Sequence, residues 1–284
     1  MATTSWQPSQ LQRERDAYRR SRTRRSWLIA LASTAIVVTV AVLVVRSSSG
    51  WDRTRDSFFD FRTGWHDLPD LLRALWTNVK IMLVSEAFIL VFAAIIAILR
   101  TLRGPVFFPI RFVCAAYVDI FRGLPLLIVL FLVGFGIPSL RLQGGPTSEF
   151  TLCVIALTLT YTAYVAEVFR AGIESVHPSQ AASARALGLT YAQSMRYVIF
   201  PQAVRRVLPP LLNDFVSLQK DTSLVSILGV AEIVLTATNE VSQDFKFVHY
   251  VMAALIFVAL TIPLTRLTDW VSRRQGWVGG GAIR

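Results

Sequence analysis

The segment Glu167–Ala203, EVFRAGIESVHPSQAASARALGLTYAQSMRYVIFPQA, is a long polar interval between strongly apolar stretches late in the chain. Residues 178–187 are rich in Ala, the best helix former, and Gly188 can supply the left-handed position that commonly ends a helix. Thr190 stands three residues before a glutamine, which is capping-box spacing, so a second helix is predicted to begin there and to end at Pro201. The segment therefore predicts a bent pair of helices with a glycine elbow.

The outer surface of the predicted first helix consists mostly of small side chains. They are Ala181, Ala182, Ala184 and Ala186. Small side chains allow another backbone to approach closely, so one hypothesis is that this segment docks onto a partner. The alternative is a solvated loop between two helices, and the spacing is compatible with both.

The composition places the chain among membrane proteins with several spans. Of 284 residues, 54% are hydrophobic and 17% are charged, and the mean hydropathy is +0.51. This is too apolar for an ordinary soluble protein. The formal charge of +11 does not indicate nucleic-acid binding, because the arginines flank apolar stretches. The cysteines and histidines are too few and too scattered to predict a disulfide framework or a metal site.

The N-terminal part divides into three segments. Residues 1–26 have a net charge of +5 and are predicted to form a disordered cytoplasmic tail. Residues 27–45 are uncharged and long enough for a transmembrane anchor, which we favour over a cleaved signal peptide because the apolar run exceeds the roughly 7–15 residues of a signal peptide. Residues 46–74 hold as many aspartates as arginines together with several aromatic residues, so this segment is assigned to the outer face.

Residues 75–274 are predicted to form one membrane domain. Its five spans are Leu75–Leu99, Phe112–Ile137, Phe150–Phe169, Leu208–Val230, where Pro209 and Pro210 begin a helix, and Phe247–Val271. The segment 170–206 has a net charge of +4, whereas Thr236–Lys246 has a net charge of −1. The positive-inside rule therefore predicts six spans in total, with both termini, the tail 275–284 and the segment 170–206 in the cytoplasm.

Charged residues at membrane depth are costly, so they are candidates for a solute pathway. The spans are numbered with the N-terminal anchor as the first. In the third span, Phe112–Ile137, Asp119 and Arg122 can share one helix face, and Gly123 and Pro125 loosen the helix beside them. A broken helix exposes backbone groups that a polar solute can use. The alternative is a structural ion pair between Asp119 and Arg122.

The fifth span carries a second polar group. Asn213, Ser217 and Lys220 have helical spacing and form one stripe, in which Lys220 could meet the carboxylate of a solute. Further candidates for the pathway are Asp221, Thr222, Ser223 and, in the second span, Glu86. The alternative is a buried hydrogen-bond network between helices, with Glu86 neutralising Lys220 or Arg122.

The sequence contains no GxxxxGK[ST] loop for ATP, no HExxH motif and no Gly-x-Ser-x-Gly motif. An energy source must therefore come from a partner or from an ion gradient. The chain itself is predicted not to be an enzyme, with no metal site of its own.

Three blocks resemble the permease subunits of bacterial ABC importers for polar amino acids, the histidine, glutamine and glutamate type. The blocks are YVDIFRGLPLL (117–127), QAASARALGLTYAQSMRYVIFPQA (180–203) and KDTSLVSILGVAEI (220–233), within a likeness that covers about 75–274. The resemblance implies an all-α integral membrane protein of the type I importer class, with a permease core of five helices and one extra N-terminal helix, in the bacterial cell membrane.

The resemblance also implies partners. The bent helix pair would dock as a coupling element into a separate ATP-binding subunit, which would hold ATP and Mg²⁺. A second permease chain, identical or different, and an extracytoplasmic amino-acid-binding protein would complete the importer in the lipid bilayer. The matched coupling positions are Arg185, Ala186, Gly188 and Pro201.

The sequence departs from the family pattern at the start of the loop motif. The family's Glu and first Ala correspond to Ala182 and Ser183, so the contact made by that Glu is absent. Two other classes of function are compatible with the residues: a membrane scaffold or sensor whose loop binds a cytoplasmic partner, and an amino acid carrier driven by an ion gradient.

Overall fold

The computed structural model describes residues 9–102 and 104–274, except for the side chains of residues 13–24. These ranges are helical and contain no strand. The helices are α1 (Gln10–Arg46), α2 (Trp51–Phe58), α3 (Phe61–His66), α4 (Leu68–Thr101), α5 (Phe108–Gly123), α6 (Leu126–Ser139), α7 (Glu149–Glu174), α8 (Pro178–Ala186), α9 (Tyr191–Ser194), α10 (Phe200–Asp221), α11 (Ile233–Asp244) and α12 (Val248–Arg274). Three helical segments of other types lie between them: 3₁₀ turns at Pro105–Phe107 and Thr222–Leu228 and a π turn at Met195–Ile199.

The chain divides into two units, the first ending at Phe59 and the second beginning at Asp60. In the first unit, the side chain of Ser9 accepts a hydrogen bond from the Gln12 N–H and caps α1. The prediction of a disordered tail over residues 1–26 is therefore wrong from Gln10 onward, since straight-chain Arg, Gln and Glu residues favour a helix once it is capped. Residues 1–8 and the predicted tail 275–284 lie outside the described residues.

Among the described residues, four helices are long and apolar enough to cross a membrane. They are the part of α1 from Arg25 to Arg46 and the helices α4, α7 and α12. Two bent pairs of helical segments meet the same criterion together: Pro105–Gly123 with Leu126–Ser139 at 107°, and Tyr191–Leu228 with Ile233–Asp244 at 50°. Six spans result when each bent pair counts as one, as the sequence predicts.

The core of the second unit is built around α7. This helix contacts α4, α5, α6 and α10, and many of its buried side chains are small. Ala156, Ala163 and Ala166 are fully buried, so neighbouring backbones approach closely. A second cluster, which includes Leu71, Ile233 and Val248, joins the first turns of α4, α11 and α12.

The predicted third span is broken rather than continuous. α5 ends at Gly123 and α6 begins at Leu126, with Leu124 and Pro125 in extended conformation between them. Pro125 disfavours a helical conformation in the residue before it, which explains the position of the break. The loosening expected at Gly123 and Pro125 is confirmed, and its extent is a turn of 107°.

Prolines in the fifth span do not act as predicted. Pro201 does not end a helix, because it lies in the first turn of α10 directly after the π turn, where a missing N–H is tolerated. Pro209 and Pro210 do not begin a helix but lie inside α10. The span predicted at 208–230 instead changes to a 3₁₀ turn after Asp221 and ends in the left-handed conformation at Gly229.

Candidate functional site

The glycine elbow has the predicted local structure. α8 ends before Gly188, which has a φ of 82°. The Thr190 hydroxyl accepts from the Gln193 N–H at 3.3 Å, and the Gln193 side chain accepts from the Thr190 N–H at 2.9 Å, so both halves of the capping box form. The bent helix pair, residues 178–201, is therefore specified by local sequence.

A side-chain hydrogen bond joins the bent helix pair to α10: the Gln202 side chain donates to Gln180 at 3.4 Å. Outside the pair, the Arg206 guanidinium donates to the Ser175 carbonyl and so joins α10 to the end of α7. Of the predicted small-residue surface, Ala182 and Ala186 are exposed, whereas Ala184 is 3% exposed and faces inward. That part of the prediction is wrong for Ala184, which is buried where α8 contacts α9 and the π turn.

Three of the four predicted coupling residues lie on one exposed surface. Arg185, Ala186 and Gly188 are exposed, and the Arg185 Nε donates to the Ala181 carbonyl at 3.3 Å. Pro201 is also exposed but belongs to the next helix. The structure thus presents the elbow and the end of α8 to a potential partner.

Glu167 joins three helices at the end of the bundle that carries the bent helix pair, and sequence reasoning did not single it out. It accepts from Arg100 of α4 at 3.0 Å and also from Arg170 of its own helix. Arg122 at the end of α5 lies 4.0 Å away. Arg170 bonds to Glu174 as well. One carboxylate therefore links α4, α5 and α7.

The first predicted pathway group is dispersed by this arrangement. Among the described residues, the acidic partner of Arg122 is Glu167, so the alternative of an Asp119–Arg122 ion pair is wrong. Asp119 is exposed. Tyr164 donates to the Arg122 carbonyl at 3.2 Å, and the Arg122 guanidinium lies 5.8 Å from the centre of the Tyr164 ring. Arg122 thus stands beside the break formed by Gly123 and Pro125.

The second predicted group is divided between two faces of α10. Asn213 and Lys220 are exposed and Ser217 is half-buried, so the stripe is not a buried network. Lys220 and Ser223 line a cavity of about 300 Å³ against Phe257 and Thr261 of α12.

Asp221 faces the opposite way, towards α7. Tyr161 donates to its carboxylate at 2.7 Å. Within the described chain Glu86 forms no ion pair with Lys220 or Arg122, contrary to the neutralisation considered from sequence. The structure therefore separates Asp221, which bonds to α7, from Lys220, which lies against α12.

A buried polar network fixes the bend between α10 and α11. Asn78 donates to Glu232 at 2.9 Å and to Thr222 at 3.3 Å, and Glu232 accepts from the first N–H groups of α11 at 2.9 Å. Asn78 and Glu232 are 2% and 0% exposed, so each needs these partners. Of the predicted pathway residues, Thr222 thus has a structural contact. The available sequence signal was Asn78, a polar residue that interrupts an apolar span.

At the other end of the bundle, a salt bridge connects α3 to the segment before α12. Lys246 lies 2.6 Å from Asp60 and 3.0 Å from the Thr63 hydroxyl. Hydrogen bonds from Lys246 and Thr63 lower the pKa of Asp60 to about 2. The same contact raises the pKa of Lys246.

Comparison with known proteins connects this arrangement with a transport family. Residues 90–277 match the family described as "Binding-protein-dependent transport system inner membrane component". The chain is 38% identical over 217 residues to a probable amino-acid ABC transporter permease protein, PatM, of Vibrio harveyi, covering 76% of this chain and 96% of that protein. It is 36% identical over 214 residues to the glutamate transport system permease protein GluC of Corynebacterium glutamicum, covering 71% and 92%.

Solved structures agree with this assignment. An amino acid ABC transporter crystallised with histidines has a chain that superposes with a TM-score of 0.70 at 32% identity, covering 76% of this chain and 98% of that one. A chain of the MetNI methionine ABC transporter has a TM-score of 0.62 at 17% identity, which shows the fold alone. The protein is therefore a multi-pass membrane protein that belongs to the family of binding-protein-dependent transport inner membrane components, among the amino-acid ABC transporter permeases.

Proposed function

We propose that this chain is the permease subunit of an ATP-driven importer that moves a polar amino acid into the cell. The observation that carries the proposal is the bent helix pair, which projects an exposed glycine elbow and contacts α10 through its π turn. A partner that moves this element can transmit the motion to α7 and α10, with which it is continuous or in contact. The relatives named as amino-acid and glutamate permeases support the substrate class.

In this proposal ATP and Mg²⁺ bind to a separate ATP-binding subunit, and this chain does not hydrolyse ATP. Arg185, Ala186 and Gly188 meet that subunit, and Pro201 begins the helix that receives the motion. Ala182 leaves a neutral surface at the position where the family has Glu, so docking depends on shape and on Arg185. A second permease chain, identical or different, completes the pathway.

The solute pathway of the proposal passes the break in the third span and the polar residues of α10. Arg122 and Lys220 provide positive charge for the α-carboxylate of an amino acid. Glu86, Asp119, Asn213, Asp221, Thr222 and Ser223 provide polar groups along the route, and Gly123 and Pro125 open the backbone beside it. An extracytoplasmic binding protein delivers the solute at the face opposite the bent helix pair, and both termini are cytoplasmic.

The experiment is uptake into proteoliposomes that contain this chain together with an ATP-binding subunit and an amino-acid-binding protein of the same family of importers. A panel of labelled amino acids is tested with ATP, without ATP and with an imposed ion gradient. Uptake that requires ATP supports the importer. Uptake driven by the gradient alone would instead support a secondary carrier. A chain that binds its cytoplasmic partner but moves no amino acid would be a scaffold or sensor.

A further inference from the structure

A cavity lies between the bent helix pair and the ends of α4 and α7. Its volume is about 600 Å³, within the usual range of ligand pockets of about 300–1,000 Å³. Three arginines, Arg100, Arg170 and Arg185, line it together with the N-terminal residues of α8. We call it the arginine cavity, and it is separate from the polar residues of the proposed solute pathway.

The arginine cavity has a surplus of positive charge. The guanidinium groups of Arg100 and Arg170 are held by Glu167 and Glu174, whereas Arg185 has no acidic partner among the described residues. Among the described residues, the Arg185 side chain has one hydrogen bond, from Nε to the Ala181 carbonyl. Its two terminal nitrogen atoms are therefore available for an anion with one net negative charge.

The backbone adds to this preference. His177 and Pro178 both line the cavity, so the N-terminus of the nine-residue helix α8 opens onto it. The partial positive charge at a helix N-terminus favours an anion. Glu174 is the acidic residue that lines the cavity. Its carboxylate is paired with Arg170, whose positive charge offsets its repulsion of a bound anion.

Part of the remaining wall is apolar. Ile173, Val176, Met195 and Ile199 line the same cavity. The cavity is larger than a bare ion requires, and it adjoins Arg100 and Thr101 at the end of a membrane-spanning helix. A monoanionic phosphate ester with an apolar body matches both the charge and the walls, since guanidinium groups bind phosphate in a planar, bidentate manner.

We propose that the arginine cavity binds a phosphate ester, with the headgroup of an anionic phospholipid as its source. Basic pockets between helix ends at the membrane surface have the charge that such headgroups require. A lipid held there would fix the bent helix pair against the ends of α4 and α7. The site would therefore make the position of the bent helix pair depend on the lipids of the surrounding membrane.

The test measures lipid binding to the purified full-length chain by native mass spectrometry, with phosphatidylglycerol as the probe and zwitterionic phosphatidylcholine for comparison. We expect phosphatidylglycerol to bind the wild type preferentially. Arg185→Gln removes the free guanidinium and should weaken that binding about tenfold or more. Ala181→Glu places a carboxylate in the wall and should have a similar effect. Arg196→Gln is the matched control, because this exposed arginine of the same loop does not line the cavity, and it should change binding by no more than about twofold.

Competition identifies the source of the phosphate. Displacement of the lipid by inorganic phosphate at millimolar concentration would support a phosphate site that soluble esters fill, whereas a lack of displacement would support the lipid. Equal binding of phosphatidylglycerol by wild type, Arg185→Gln and Ala181→Glu would overturn the proposal. An equal loss in Arg196→Gln would also overturn it, because attraction would then be diffuse. The measurement requires no transport, so its outcome is independent of the proposed function.

Discussion

At the scale of single residues, the coupling proposal depends most on Gly188. A side chain here would meet open space, but the φ of 82° is unfavourable for any residue with a Cβ. A β-branched residue is worst, and Asn is the best replacement, because its side chain hydrogen-bonds locally. Substitutions at this position therefore test the backbone conformation without a steric clash.

We expect Gly188→Val to abolish ATP-dependent uptake in proteoliposomes while membrane insertion remains normal. The left-handed conformation costs roughly 1–2 kcal/mol for an L-residue, so the elbow would change its angle. Gly188→Asn is the control and should retain most of the uptake. Normal uptake by Gly188→Val would contradict the docking role of the elbow.

A second residue-scale prediction concerns the Tyr161–Asp221 hydrogen bond of 2.7 Å. Tyr161 is 7% exposed, so the Asp221 carboxylate loses a protected donor in Tyr161→Phe. In a double-mutant cycle, the effects of Tyr161→Phe and Asp221→Asn on the free energy of unfolding should be coupled by about 1.5–3 kcal/mol, as for hydrogen bonds to charged groups. Thermal unfolding of the four proteins in detergent measures it. Additive effects of the two substitutions would show that the bond contributes no stability.

At the scale of helices, the close approach of α7 and α10 depends on Gly172. A Cβ at this position would overlap the side chain of Val207, which is 6% exposed and has little room to move. The two helices can pack closely because one of them lacks a side chain at the contact. This contact joins α7 and α10, the helices that precede and follow the bent helix pair in the chain.

Gly172→Ala should lower the free energy of unfolding by about 1–3 kcal/mol, the usual cost of overpacking. Val207→Ala in the same chain should restore most of the loss, since it removes the overlapping methyl groups. Thermal unfolding of the single and double variants checks both statements. A Gly172→Ala protein as stable as the wild type would show that the helices can separate without cost.

The Glu167 contact gives a second prediction at this scale. Glu167→Gln leaves the Arg100 guanidinium with a neutral partner and Arg170 with Glu174 alone, and the two arginine side chains are only 18% and 30% exposed. The free energy of unfolding should fall by about 1–3 kcal/mol. Asp70→Asn is the matched control, because the Asp70–Arg73 pair is exposed and should contribute at most about 1 kcal/mol. Equal effects of the two substitutions would show that the Glu167 contact is no more than a surface pair.

At the scale of the whole second unit, the Asp60–Lys246 contact connects residues 186 positions apart in sequence. The pKa of Asp60 is lowered from 3.8 to about 2, so its stabilisation is complete above its ordinary pKa and is lost as the pH falls towards 2. The raised pKa of Lys246 means that its stabilisation is lost only as the pH rises beyond the ordinary value of 10.5. The salt bridge is therefore ionised throughout the physiological range.

Asp60→Asn should consequently lower the melting temperature by the same amount at every pH from about 5 to about 9. Asp56→Asn, at an exposed carboxylate paired with Arg55, is the control and should have little effect at any pH. Thermal unfolding in a series of buffers is the measurement. A difference between wild type and Asp60→Asn that changes within this range would mean that another group titrates at the contact.

Local rules account for the parts of the molecule that were predicted well. Ala content, Gly188 and the capping box are effects within a few residues, so α8, the elbow and the start of α9 follow from sequence. The break at Gly123 and Pro125 is also local. Pro201, Pro209 and Pro210 were assigned wrongly, because tertiary packing and a π turn hold the helix together where propensity alone would end it.

The candidate site was less predictable, for a physical reason. Lys220 and Asp221 are adjacent in sequence, and helical spacing does not say which neighbouring helix each side chain faces. In the structure Lys220 lies against α12, whereas Asp221 bonds to Tyr161 of α7. Asn78 and Glu232 are 154 positions apart, and no local rule pairs them.

The amino-acid sequence identifies a helical membrane protein, and three motif blocks place it in a permease family. Hydropathy, charge and turn residues suffice for this, because they act over short distances along the chain. The packing of the helices, in contrast, establishes which polar groups come together: Glu167 with arginines of three helices, Glu232 with Asn78, and Arg185 with Arg100 and Arg170 around one cavity. Such partners are fixed by the packing of distant helices, since buried polar groups must be satisfied by whichever residues that packing brings within hydrogen-bond distance.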